Sequence, residues 1–121
     1  MSYDIRIVDK ETKMPIMVEE PHNIAGGTYA VGGTKELWLN ITYNYAPFFR
    51  KVFKEHGDSG IHCIEGENVE KTIPWIEDAI NNLGDDVDDN YWTPTEGNAK
   101  KSLKSLLKLA ELCPQGEWEI T

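Results

Sequence analysis

Arginine is scarce in this chain: Arg6 and Arg50 are the only two among 121 residues. A protein that reads duplex nucleic acid neutralises phosphates with a basic face. Twelve basic against 21 acidic residues, a net charge of −9, argue against that class. The balance leaves room for a small anionic ligand, which needs one or two cations and a few backbone N–H groups. Acidity also suits mimicry of nucleic acid toward a basic partner, and most simply it suits solubility. Cysteine is equally sparse. Cys63 and Cys113 form no C-x-x-C pair, and the neighbouring His62 lies far along the chain from His22, so no zinc pattern emerges. Adjacent residues of a strand point to opposite faces, so His62–Cys63 is not a nucleophile–base pair. No apolar run reaches membrane-spanning length and MSYDIRIVDK lacks the apolar core of a signal peptide, so a cytosolic chain without a membrane partner is expected. The acidic run from Asp85 to Asn90 fails as an EF-hand loop, because Val87 and Asn90 occupy the third and sixth positions.

What the chain does have is concentrated between Gly26 and Tyr45, in GGTYAVGGTKELWLNITYNY. Two Gly-Gly-Thr triplets bring four glycines and two hydroxyls into nine residues. Glycine lets a backbone approach a ligand closely, and converging N–H groups cradle phosphates. The triplets match neither the P-loop nor the dinucleotide fingerprint, and a pair of turns explains them equally well. The strand that follows puts Leu37, Leu39, Ile41 and Tyr43 on one face and Trp38, Asn40, Thr42 and Asn44 on the other. The second face mixes an indole with small hydrogen-bonding groups, which suits a polar ligand with a flat ring. Tyr91-Trp92-Thr93-Pro94-Thr95-Glu96-Gly97-Asn98 repeats that chemistry ahead of a helix.

One domain accounts for the length. Tyr3 to Val8 alternates as an opening strand, with Met14 to Val18 as its expected hairpin partner across a turn at Lys10–Lys13. Residues 19 to 35 read as a long loop. Three helices are expected. The first spans about Tyr45 to His56, with Asn44 as N-cap, and Gly57 ends it. The second runs to Leu83, starting at Thr72 as N-cap or kinked at Pro74 after a turn from Asn68. The third runs from Thr95 to about Leu112, with Ala99, Leu103, Leu106, Leu107 and Ala110 inward and Lys100, Lys101, Lys104 and Lys108 facing solvent. A closing strand is expected at Gly116–Ile120. The assembly is an α+β domain, a small antiparallel sheet with about three helices packed on one side.

The candidate ligand-binding residues are Gly26, Gly27, Thr28, Gly32, Gly33 and Thr34 in the glycine segment, Trp38, Asn40, Thr42 and Asn44 on the strand, Arg50, and Tyr91, Trp92, Thr95 and Asn98. Trp38, Tyr91 and Trp92 would stack on nucleobases, and Arg50 would fork onto a phosphate. The plain alternatives are aromatic groups finishing a small core and an arginine in a surface ion pair. No set of catalytic residues and no cofactor or metal site stands out.

GGTYAVGGTKELWLNITYNY, IPWIEDAINNLGDD, DNYWTPTEGNAKKSLKSLLKLAEL and CPQGEWE together resemble a widespread group of small proteins encoded by phages and mobile elements. Within it the chain is similar to the sponge proteins that counter CBASS defence. The resemblance implies a non-enzymatic protein in the cytoplasm of an infected bacterium, one that sequesters a cyclic nucleotide signal such as 3′,3′-cyclic GMP–AMP without cleaving it. It also implies a homo-oligomer with sites between subunits, a symmetric arrangement suited to a symmetric ligand. No binding motif of that group aligns residue by residue, so the candidate residues rest on their own chemistry. The competing reading is an acidic, protein-binding inhibitor of a host defence complex.

Overall fold

Alternation in the first strand sets the core. A computed structural model describes residues 2–22 and 34–121. Its central strand, β1 (Ser2–Val8), pairs antiparallel with β4 (Trp38–Thr42) on one side and β5 (Glu117–Ile120) on the other. The register sets Tyr3 opposite Ile41, Ile5 opposite both Leu39 and Ile120, and Ile7 opposite Trp118. Opposed residues share a face, and all of these are buried. On the other face Asp4 opposes Asn40 and Arg6 opposes Trp38 and Glu119. Asn40 donates there to Ser2 Oγ at 2.7 Å and to Asp4 Oδ1 at 3.0 Å.

The expected partner of β1 at Met14–Val18 forms only in part. The turn closes through Asp9 N–H to the Met14 carbonyl at 2.9 Å, and Val8 bridges Pro15. Proline supplies no N–H to extend a ladder. The chain then leaves as β2 (Met17–His22), which pairs with β3 (Thr34–Glu36) in a separate two-stranded sheet. Residues 19–22 and 34–35, expected in a loop, are therefore strand.

The main strand also stops one residue before Tyr43. Tyr43–Tyr45 is a 3₁₀ turn, and the change of period turns Tyr43, expected on the core face, out to solvent, while Tyr45 is fully buried. Asn44 is not the helix cap. Thr42 Oγ1 caps the turn by accepting from Asn44 N–H at 3.2 Å. The first helix, α1 (Ala46–Val52), is shorter than expected and passes through Phe53 into a 3₁₀ turn at Lys54–His56 before Gly57. Phe49 and Phe53 still fill the core.

Helix α2 (Val69–Asn81) begins at Asn68, whose side chain accepts from Lys71 N–H at 3.1 Å. Of the two expected starts, Asn68 is therefore the one found, and Thr72, the other, is buried four residues further on. Its hydroxyl donates to the Val69 carbonyl at 2.8 Å and receives the Trp118 indole N–H at 2.7 Å. Pro74 lies inside the helix. The carbonyl it leaves without an intrahelical donor belongs to exposed Glu70 in the first turn, where water can satisfy it. Helix α3 (Glu96–Leu112) keeps its expected cap and span: Thr95 Oγ1 accepts from Asn98 N–H at 3.1 Å, and Ala99, Leu103, Leu106 and Ala110 are buried as expected. Leu109 takes the buried place expected of Leu107, which is only partly covered, and Lys100, expected in solvent, is largely covered and paired with Asp85. The helices join the inner face of the sheet in one apolar cluster, an α+β arrangement.

Candidate ligand groove

The two segments rich in Asn, Thr and aromatic residues fold against each other. Thr42 N–H donates to the Tyr91 hydroxyl at 2.9 Å, and Asn44 Nδ2 donates to the Trp92 carbonyl at 2.8 Å. The Tyr45 hydroxyl donates to the Tyr91 carbonyl. The Tyr45 and Tyr91 rings meet edge to face at 5.5 Å, and Trp92 continues the aromatic run at 5.1 Å from Tyr91. Burial pushes the phenols of both Tyr45 and Tyr91 up, so each stays protonated over the physiological range.

Asn98 secures the loop that precedes α3. Its side chain donates to the carbonyls of Asn90 and Thr93, each at 3.0 Å, and accepts from Asp88 N–H at 3.0 Å. Gly97 lies directly beneath the loop. A Cβ there would sit 2.7 Å from the Asp86 carbonyl carbon and the Val87 nitrogen, so only glycine fits.

This loop and α3 enclose an open groove of about 430 Å³. Along the helix wall run Lys101, Ser102, Lys104, Ser105 and Lys108; Tyr45, Tyr91, Asp88, Asp89 and Asn98 complete the lining. Positions 101, 104 and 108 recur at intervals of three and four, which places them on one helix face. None of these three lysines has an acidic partner within ion-pair distance among the described residues, whereas Lys100 pairs with Asp85 at 2.8 Å. That pairing holds the Asp85 carboxyl below its ordinary range. A strip of unpaired ammonium groups beside aromatic rings and two carboxylates can bind an anion that also carries hydrogen-bond donors.

Of the residues singled out in the sequence, Tyr91 and Asn98 line this groove. Thr42, Asn44, Trp92 and Thr95 support it through the bonds above. Much of their hydrogen-bonding capacity is used within the protein. Trp38 and Asn40 lie on the outer sheet face, and Thr34 opens β3, where its hydroxyl accepts from Glu36 N–H at 3.1 Å. Arg50 belongs to a different surface, its stem packed 3.3 Å from where a Gly60 Cβ would be. Gly26, Gly27, Thr28, Gly32 and Gly33 lie outside the described residues. The three lysines are not among those candidates, because a solvent-facing helix edge is the commonest setting for that residue. Their spacing, K-x-x-K-x-x-x-K, was nonetheless visible.

Among the described residues no three His, Cys, Asp or Glu side chains cluster so as to hold a metal, and no helix is long and apolar enough to cross a membrane. Burial pushes the Cys63 thiol up to about 11, which keeps it protonated. Comparison with protein-family models, with curated proteins and with solved structures finds no match.

Proposed function

We propose that this chain is a phage-encoded sponge that binds a cyclic nucleotide of the 3′,3′-cyclic GMP–AMP type in the α3 groove and holds it intact. The observation that carries the reading is the row of Lys101, Lys104 and Lys108 along one wall of the groove, without an ion-pair partner among the described residues of a chain of net charge −9. Along the groove they set three ammonium groups against the two carboxylates of Asp88 and Asp89, a local excess of positive charge in a molecule that is negative as a whole. The volume falls at the lower end of the roughly 300–1,000 Å³ usual for small-molecule sites. Tyr91 offers an aromatic edge to a base. Asp88 and Asp89, as acceptors, suit the ring and exocyclic N–H groups of guanine. The groove opens to solvent, so two copies facing across a symmetric ligand would enclose it.

A thermal-shift screen of the purified protein against cyclic di- and trinucleotides tests this. The expected result is a large upward shift with one compound, and recovery of that compound unchanged after the protein is denatured. Absence of any shift, or recovery of a cleaved product, would overturn the proposal.

A further inference from the structure

The main sheet has two margins, and they are treated differently. Beyond β5, Trp118 N–H donates to the Glu67 carbonyl at 3.1 Å, the Trp118 carbonyl accepts from Gly66 N–H at 2.9 Å, and Asn68 bridges Glu117. That margin is covered. The other margin is β4. Alternate residues of an antiparallel strand turn their backbone groups to opposite sides. Asp4 exchanges both backbone bonds with Thr121, so Asp4 and Arg6 turn toward β5. Ile7 N–H donates to the Leu37 carbonyl at 2.9 Å, so Tyr3, Ile5 and Ile7 turn toward Ile41, Leu39 and Leu37.

The backbone groups of Trp38, Asn40 and Thr42 therefore point away from β1. Thr42 shows the direction, because its N–H donates to the Tyr91 hydroxyl at 2.9 Å, which closes that end of the margin. For the backbone N–H and carbonyl groups of Trp38 and Asn40 no partner occurs among the described residues. Both residues are partly exposed. A margin in this state is a template for another strand, and proteins usually blunt it with charge, proline or a bulge. β4 has none of these. Of the strands among the described residues it alone lacks a charged side chain, and its register with β1 is unbroken.

We propose that β4 is a self-association edge, which pairs antiparallel with β4 of a second copy of this chain about a two-fold axis at Leu39. Trp38 of each copy exchanges its N–H and carbonyl bonds with Asn40 of the other, and the two main sheets join into one. Charge favours a second copy here over a contact elsewhere on the surface. Each copy carries a net charge of −9, so two copies repel over most of their faces, whereas this register sets no charged side chain opposite another. The inference concerns the free protein and stands whether or not the groove takes a nucleotide.

Light scattering of the full chain without ligand over a dilution series, paired with amide hydrogen exchange read residue by residue, tests the assignment. The expected result is a molar mass that doubles as the protein is concentrated. Exchange of the Trp38 and Asn40 amides should slow by about tenfold or more in step with it, since only the paired state protects them. Leu39 and Ile41, whose amides turn toward β1, should stay protected throughout. Asn40→Lys puts a charge on the margin, beside the Asp4 carboxylate that Asn40 Nδ2 contacts at 3.0 Å, and should keep a folded chain monomeric where the wild type pairs. A wild-type chain that stays monomeric at every concentration, leaving the edge to a strand of another protein, would overturn the proposal. So would a dimer whose Trp38 and Asn40 amides exchange as fast as in the monomer, or a folded Asn40→Lys variant that pairs as tightly as the wild type.

Discussion

Lys104 sits mid-row in the groove, exposed and without a carboxylate partner at ion-pair distance, so its ammonium is spare for the fold. Lys104→Ala should leave the melting temperature within a degree or two while weakening ligand binding by about tenfold, as loss of a charge-assisted contact does; calorimetry and a thermal melt check both halves. Asn98 is the opposite case. Its side chain makes three bonds to one loop and is buried. Asn98→Ala strands two carbonyls and an N–H, and should cost about 1–3 kcal/mol of stability by urea denaturation. The phenols give a pH signature. Tyr3, Tyr45 and Tyr91 all have folded values raised above the ordinary 10.0, chiefly by burial. Each therefore favours the folded state fully below pH 10 and loses that contribution as pH climbs above it, because the unfolded chain releases the proton first. Unfolding midpoints compared at pH 8 and pH 11 should fall at the higher pH, and a midpoint unchanged between the two would contradict the burial of these rings.

At the scale of elements, α3 was legible because every local signal agreed: Thr95 as a cap, Glu96 in the first turn, an apolar stripe, and Pro114 beyond the end. The three strands of the main sheet were legible from alternation for the same reason. The start of α2 was not, since Asn68 and Thr72 are both cap-forming residues. The choice is made by the Trp118 indole, 46 positions away in sequence, which takes the Thr72 hydroxyl for itself. Nor could local pattern show that β2 would abandon β1 for β3, a choice set by distant backbone partners at Ile16 and Leu37. The groove was hidden in a similar way. Its lysines were plain on the helical wheel, but only tertiary structure lays the Asp88–Tyr91 loop beside them. Gly97 is what permits that contact. Gly97→Ala would push a methyl into the loop backbone and should destabilise the protein by about 1–3 kcal/mol, with loss of ligand binding in the same variant.

Over the whole molecule the excess of acid is not uniform. Four of the ten lysines lie on α3, and three of them line one groove. A negative protein with a local cationic strip attracts an anion only at short range, so affinity should fall as salt is raised from about 0.05 to 0.5 M, where screening shortens to a few ångströms. The strip also ties the proposed function to a single physical claim: a bound nucleotide would seat its phosphates in the α3 groove. Calorimetric titration of 3′,3′-cyclic GMP–AMP into the wild-type chain and into a Lys101→Ala, Lys104→Ala, Lys108→Ala triple variant tests it most directly. Saturable binding to the wild type and none to a folded triple variant is the expected result; equal binding to both would place the ligand elsewhere and contradict the account.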